Sequence, residues 1–176
     1  GEIQWGDETG MRSDSHAGRS YAPIGETPVR QVSGSRFSTN MISTVTNRGK
    51  LRFMLYRETM TAPVLIRFLG RLIRDAQGRK VFLILDNLRV HHSKKVSAWV
   101  ADRKEQIELF FLPAYAPELN PDEYLNCDLK HQVRTGLPAR NQDELERRVR
   151  SVMRRLQLRP QRIRSYFRHP RIAYAA

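Results

Sequence analysis

The chain has 176 residues, enough for one compact domain with a real core, and at 40% hydrophobic and 28% charged it has the composition of an ordinary globular protein. No apolar run approaches the roughly 20 residues that span a bilayer, the start GEIQWGDETG lacks the basic and apolar stretches of a signal peptide, and the lone Cys127 excludes an internal disulfide and any zinc site built on clustered cysteines. The net charge of +13 points to a polyanionic partner, of which nucleic acid is the commonest.

These features read as an intracellular protein. A start at Gly1 rather than Met, with a strand-like segment almost at once, reads as a piece of something longer. The charge is uneven: Arg134 to Arg171 holds twelve Arg against three acids (Asp143, Glu144, Glu146), a net of +9. A solvated helix surface is one reading. The basic and aromatic interleaving in RIRSYFRHPR favours the other, contacts to phosphates.

In chain order, IQWGDE alternates as a strand, with Ile3, Trp5 and Asp7 on one face and Glu8 on the other. The Gly-, Ser- and Pro-rich stretch from Thr9 to Arg36 reads as turns with at most short strands. NMISTVTN and KLRFMLYR are strands joined in a hairpin at Asn47-Arg48-Gly49. Val64, Leu65, Phe68, Leu69, Leu72 and Ile73 recur at helical spacing. VFLILD, 81–86, is a continuous apolar run suited to a parallel strand buried on both faces, and IELFFL is another. Between them Ser93 caps a helix running to about Lys104, with Val96, Trp99 and Val100 inward. A helix follows from about Pro121 to Val133. The next opens near Asn141, with Glu144 at capping-box spacing and an apolar stripe of Leu145, Val149, Val152, Met153 and Leu156. Pro160 opens a last short helix with Ile163, Tyr166 and Phe167. Strands first, then alternating helices and strands, imply an α/β domain: a mixed five-stranded sheet, antiparallel at its start, with helices on both faces. The ribonuclease-H-like fold has this order.

Three acids stand at element ends. Asp7 closes the first strand. Asp86 closes the buried VFLILD strand, where ligands of α/β sheets gather. Glu123 opens the helix after Pro121. A bare carboxylate ending an apolar strand is costly unless paired, and a hard divalent cation such as Mg²⁺ or Mn²⁺ is one partner that prefers carboxylate oxygen. The structural alternatives are an Asp86 turn cap or Arg pair, an Asp7 turn, and a capping box in which Glu123 folds back onto Asn120.

The motifs WGDETG at 5–10, LILDN at 83–87 followed by His91-His92, and LPAYAPELNPDEY at 112–124 carry a resemblance over nearly the whole chain. The chain resembles the catalytic domain of mariner-like transposases of bacterial insertion sequences, in the DDE superfamily of endonucleases. The 36 residues between Asp86 and Glu123 match the short spacing of that family. The resemblance implies a catalytic and metal-binding triad of Asp7, Asp86 and Glu123 holding two Mg²⁺ or Mn²⁺ ions, with Asn87 and His91 shaping the site from outside it, and His92 a weaker second choice. It implies hydrolysis at a transposon end, then attack of the freed 3′-hydroxyl on target DNA. Partners would be double-stranded DNA and further copies of the chain, in a bacterial cytoplasm at the nucleoid and not at a membrane. Lys94, Lys95, Lys130, Arg147 and Arg154 are the expected phosphate contacts, the last two on an Arg-rich helical part from about 137 to 176.

Two departures qualify the match. The family's DNA-binding region before the first acid is missing, so residues 1–176 read as a single catalytic domain. The third acid is followed by Tyr-Leu-Asn-Cys rather than the nearby Trp of many eukaryotic relatives, which suggests a bacterial branch. Rival readings are a ribonuclease-H-like nuclease that cuts without joining, a decayed or domesticated DNA-binding domain, and a basic RNA-associated domain.

Overall fold

The computed structural model describes residues 1–13, 24 and 36–176. Its strands are β1 (Glu2–Arg12), β2 (Ser38–Val45), β3 (Leu51–Tyr56), β4 (Val81–Leu85) and β5 (Ile107–Phe111). Its α-helices are α1 (Ala62–Asp75), α2 (Lys94–Ala101), α3 (Asp122–Arg134), α4 (Gln142–Gln157) and α5 (Pro160–Tyr166). The strands form one sheet in the order β3-β2-β1-β4-β5. β1, β2 and β3 pair antiparallel, while β4 pairs parallel with β1 and with β5. This is the mixed sheet expected from the element order.

Each face carries its own core. On one, α1 lays Val64, Leu65, Phe68, Leu69 and Leu72 against Ile42, Met54, Leu83, Leu85 and Ile107, with Val96 of α2 beside them. On the other, Leu125 and Leu129 of α3 and Leu145, Val149, Val152, Met153 and Leu156 of α4 cover Trp5, Met41, Val45 and Leu51. The apolar stripes read from helical spacing are these two contact surfaces. The hairpin turns where expected: Gly49 takes a φ of 88°, which suits glycine. A Cβ there would also come within 2.6 Å of the Pro160 carbonyl.

Several expectations change. β1 does not end at Asp7 but runs to Arg12, because β2 pairs with it from Trp5 to Arg12. Ile3 shares the Trp5 face yet is 48% exposed. Among the described residues, helices fully cover β4 and β5 on one face only. Ile3, Phe82, Ile84 and Phe110 line a shallow apolar surface on the other, since α3, α4 and α5 pack over the β1–β3 half. α2 stops at Ala101, three residues short of Lys104, which lies in a turn. Thr9–Arg12 and Ser38–Thr39, read as turn sequence or left unassigned, are strand; the rest of that Gly- and Ser-rich reading falls mostly outside the described residues.

At the amino end of β1 the buried Glu2 carboxylate accepts from Lys50 (2.8 Å) and Arg52 (2.6 Å), with Arg79 at 3.0 Å. Burial would raise its pKa, but the hydrogen bonds and charges of Lys50 and Arg52 outweigh it and hold it below the usual carboxylate range. Arg52 is thereby committed to the interior. Among the described residues no helix is long and apolar enough to cross a membrane.

Candidate active site

The parallel ladder between β1 and β4 stops at Trp5 and Ile84. Beyond it β1 continues alone with β2, and the chain leaves β4 at Asp86. A crevice must open where two parallel strands part, and ligands of α/β folds bind at such points. Here it is a cleft of about 410 Å³ lined by Asp7, Asp86 and Glu123, with Asn87, Asn120 and the loop Leu112–Pro117. The three expected acids thus share one cavity, although Asp7 lies within its strand rather than at its end.

Glu123 is brought in by the turn before α3. The expected capping box is not formed. The Asn120 side chain accepts from the Asp122 amide (3.0 Å) and donates to the Gly6 carbonyl of β1 (2.9 Å). The Asn120 amide is taken by the Pro117 carbonyl, so it offers nothing for Glu123 to accept. Asn120 therefore fastens the start of α3 to β1, and Glu123 faces the cleft, in hydrogen-bond contact with Asp7.

Asp7 is 8% exposed. Burial, then the charge of Asp122, the hydrogen bond and charge of Glu123, and the charge of Glu8, push its carboxyl up to about 9. Asn126 Nδ2 donates to Asp7 Oδ2 at 3.1 Å. Behind it Asp122 is fully buried and accepts from Ser43 Oγ at 2.7 Å. Its other oxygen, Oδ1, has no hydrogen-bond partner. Burial first, then Glu123 and Glu8, hold Asp122 well above the usual range despite the Ser43 bond. The site is an acid cluster carrying more carboxylates than it can ionise without cations.

Asp86 is held from the opposite side. His91, whose side chain is fully buried, lies 2.7 Å from Glu8 Oε1 through Nε2 and 3.1 Å from Asp86 Oδ1 through Nδ1. Burial would lower the imidazole, but the hydrogen bonds to Asp86 and Glu8 and the charge of Glu8 raise it to about 10, so it is a cation at neutral pH. One oxygen or nitrogen from each of Glu8, Asp86 and His91 falls within 4.8 Å of the others. Asn87 lines the cleft and hydrogen-bonds His92, which packs against Phe111.

Sequence reasoning misses three members of this arrangement. The strand alternation puts Glu8 on the face away from Asp7, which is correct, but does not reveal that His91 stands on that face. Asp122 and Asn126 lie four residues apart on one side of α3 and both point at the sheet, Asp122 at Ser43 of β2 and Asn126 at Asp7 of β1; the helical spacing holds that signal. The expected DNA contacts Lys94, Lys95, Arg147 and Arg154 are exposed, and Lys130 is half-buried.

A mixed sheet with this strand order and a carboxylate-lined cleft where its parallel strands part defines a ribonuclease-H-like domain. Residues 2–146 match the model of the DDE superfamily endonucleases, and the chain belongs to that family. Among solved structures it is similar to the Mos1 strand transfer complex (TM-score 0.69, 18% identity, covering 99% of this chain and 54% of that one). It is similar to the Mos1 mariner paired-end complex with Mn (0.68, 17%, 99% and 55%) and to the catalytic domain of Mos1 mariner transposase (0.64, 16%, 99% and 82%). The chain thus spans about half the length of the transposase chains in those complexes. No curated protein sequence matches it.

Proposed function

We propose that the chain is the catalytic domain of a DDE transposase, which cleaves phosphodiesters at transposon ends and joins the freed 3′ end to target DNA. The observation that supports this is that Asp7, Asp86 and Glu123 line one cleft. The donor set is all hard carboxylate oxygen, which suits Mg²⁺ or Mn²⁺, and bound cations would let the cluster ionise. Asp7, Asp86 and Glu123 would hold two such ions. When bound, these ions supply charge neutralisation for the attacking and leaving oxygens of an in-line displacement. The Mos1 paired-end complex with Mn supports the choice of metal.

The chain's own residues do the rest. Asn120 fixes Glu123 against β1, and His91 with Glu8 fixes Asp86. Tyr115, fully exposed with a φ of 60°, stands on the loop that rims the cleft; an aromatic ring there offers a face on which a base can stack. Lys94 and Lys95 at the start of α2, Lys130 on α3, and Arg147 and Arg154 on α4 would meet phosphates. Double-stranded DNA is the partner, further copies of the chain complete the active assembly, and an intracellular, DNA-associated setting goes with this reading.

A strand-transfer assay tests it. With Mn²⁺, and with the rest of its polypeptide where that exists, the protein is expected to convert a labelled 3′-hydroxyl end and a target duplex into a joined product. Cleavage without any joined product would favour a ribonuclease-H-like nuclease instead.

His91→Ala should lower the nicking rate about 10–100-fold and raise the Mn²⁺ concentration needed for half-maximal rate, the usual scale for losing a partner that orients a metal ligand. An unchanged metal dependence would leave His91 a packing residue. The check is nicking titrated with Mn²⁺.

A further inference from the structure

On the sheet edge farthest from β5, strand β3 runs between α1 and α4, and an arginine-lined cleft of about 330 Å³ opens along it. Arg71 comes from α1, Arg150 and Arg154 from α4. All three are exposed, and among the described residues none has a carboxylate or carbonyl partner. Arg52 also lines the cleft, but its guanidinium is spent on Glu2 and lies 3.8 Å from Asp75, the one acid among the described residues of the lining. Three cations therefore line one groove against a single carboxylate, Asp75, which sits 3.8 Å from Arg52.

The backbone adds donors. In an antiparallel ladder each residue's N–H and C=O point the same way, and successive residues alternate between partner and edge. The Lys50 carbonyl accepts from the Thr46 amide, inside the hairpin. The Leu51 carbonyl accepts from Gln157 Nε2 of α4 at 3.0 Å, outside it. Phe53 and Leu55 share the parity of Leu51, so their N–H groups face outward along the floor of the cleft. Among the described residues no strand pairs with β3 on that side. Guanidinium groups on both walls and unpaired amides on the floor together match the oxygens of a phosphodiester.

Phe53 lies opposite Ser43, and Ser43 opposite Asp7. The groove is level with the acid cluster but two strands away, about 10 Å by strand spacing, and opens from the opposite flank of the sheet. A phosphate held here is not the one at the acids. We infer that the β3 edge is a second DNA-binding surface, which grips the backbone of a duplex segment other than the one in the catalytic cleft, through Arg71, Arg150, Arg154 and the Phe53 and Leu55 amides. This rests on the reading of the protein as an enzyme acting on DNA and extends it. An acidic peptide added as a sixth strand is the competing occupant; the walls of guanidinium and the protein's overall +13 charge favour a continuous polyanion.

The test uses the metal-free protein and a labelled duplex, with binding followed by fluorescence anisotropy across salt concentrations. Arg71→Gln/Arg150→Gln/Arg154→Gln should reduce the slope of log K against log salt by about 0.9 for each phosphate that is no longer neutralised, and the matching triple Lys variant should restore most of it. In hydrogen exchange, the Leu51–Tyr56 segment of the wild type should gain protection with duplex, and that of the Gln variant should not. A wild type that binds and nicks DNA, with neither slope nor protection altered in the Gln variant, overturns the groove and leaves the catalytic reading standing. Protection by a polyglutamate peptide but not by duplex overturns it in favour of strand addition. A wild type that neither binds nor nicks duplex overturns both.

Discussion

Asp86→Ala is expected to abolish Mn²⁺-dependent nicking of duplex DNA while duplex binding survives. Its side chain is 38% exposed, it stands beyond the last residue of β4, and it contributes nothing to either core. The protein should therefore fold without it. The variant lacks a carboxylate at the mouth of the acid cleft, and with it a ligand for the charge that the reacting phosphate needs. A fall of at least about 10³ in rate is the scale of removing one charge-stabilising group from a reacting centre. Glu123→Ala should behave alike, since its carboxyl faces Asp7 and not the helix end. Wild type, Asp86→Ala and Glu123→Ala are compared on labelled duplex with Mg²⁺ or Mn²⁺. Equal nicking by all three would sink the triad.

Asp7→Asn is expected to stabilise the metal-free protein even though it removes a proposed ligand. The Asp7 carboxyl is raised to about 9 by burial and by Asp122, Glu123 and Glu8, against roughly 3.9 in an unfolded chain. Between those values the folded state binds a proton that the unfolded state has released. Its contribution to stability is then fully present below about pH 4 and is lost as pH rises toward 9. Asn at this position cannot ionise, and its side-chain oxygen can still accept from Asn126. In chelator near pH 8, Asp7→Asn should gain about 1–3 kcal/mol, the scale of relieving one badly placed buried polar group. That corresponds to several degrees in Tm, with a flatter pH dependence across the window. Mn²⁺ should raise the Tm of the wild type and raise that of the variant much less. Thermal melts at several pH values, with and without Mn²⁺, check both parts; a variant that melts lower than wild type throughout would show that the Asp7 carboxyl holds the fold together rather than straining it.

Much is legible in the sequence because each signal is local. Helical spacing in Val64–Ile73 and Leu145–Leu156 gives the two main packing surfaces. The Asn47-Arg48-Gly49 turn gives the hairpin, because a tight turn imposes a backbone that glycine accepts. Asp86 stands out because a charge closing an apolar run is costly wherever the run is buried. The block from Leu112 to Tyr124 carries the family by itself.

Other features are decided only when distant segments meet. No local pattern says that β2 prolongs β1 past Asp7 as far as Arg12, since that depends on pairing between segments far apart in the chain. The VFLIL and IELFF strands read as buried on both faces because apolar composition records what a strand can tolerate, not which helices arrive to cover it. Glu123 has a sound local reading as a cap. It fails because Asn120 is drawn instead to the Gly6 carbonyl, and a hydrogen bond to a strand 114 residues earlier is invisible to a four-residue motif. The same holds for Glu8 and His91, which are 83 residues apart in the chain and 2.7 Å apart in space. Sequence by itself determined the elements, the family and the three acids at the cleft, for these follow from periodicity and short motifs. Tertiary structure alone decided which carboxylates touch, which one a histidine holds and which edge of the sheet gathers unpaired arginines, because electrostatic and hydrogen-bond energies depend on distance in space and not on separation along the chain.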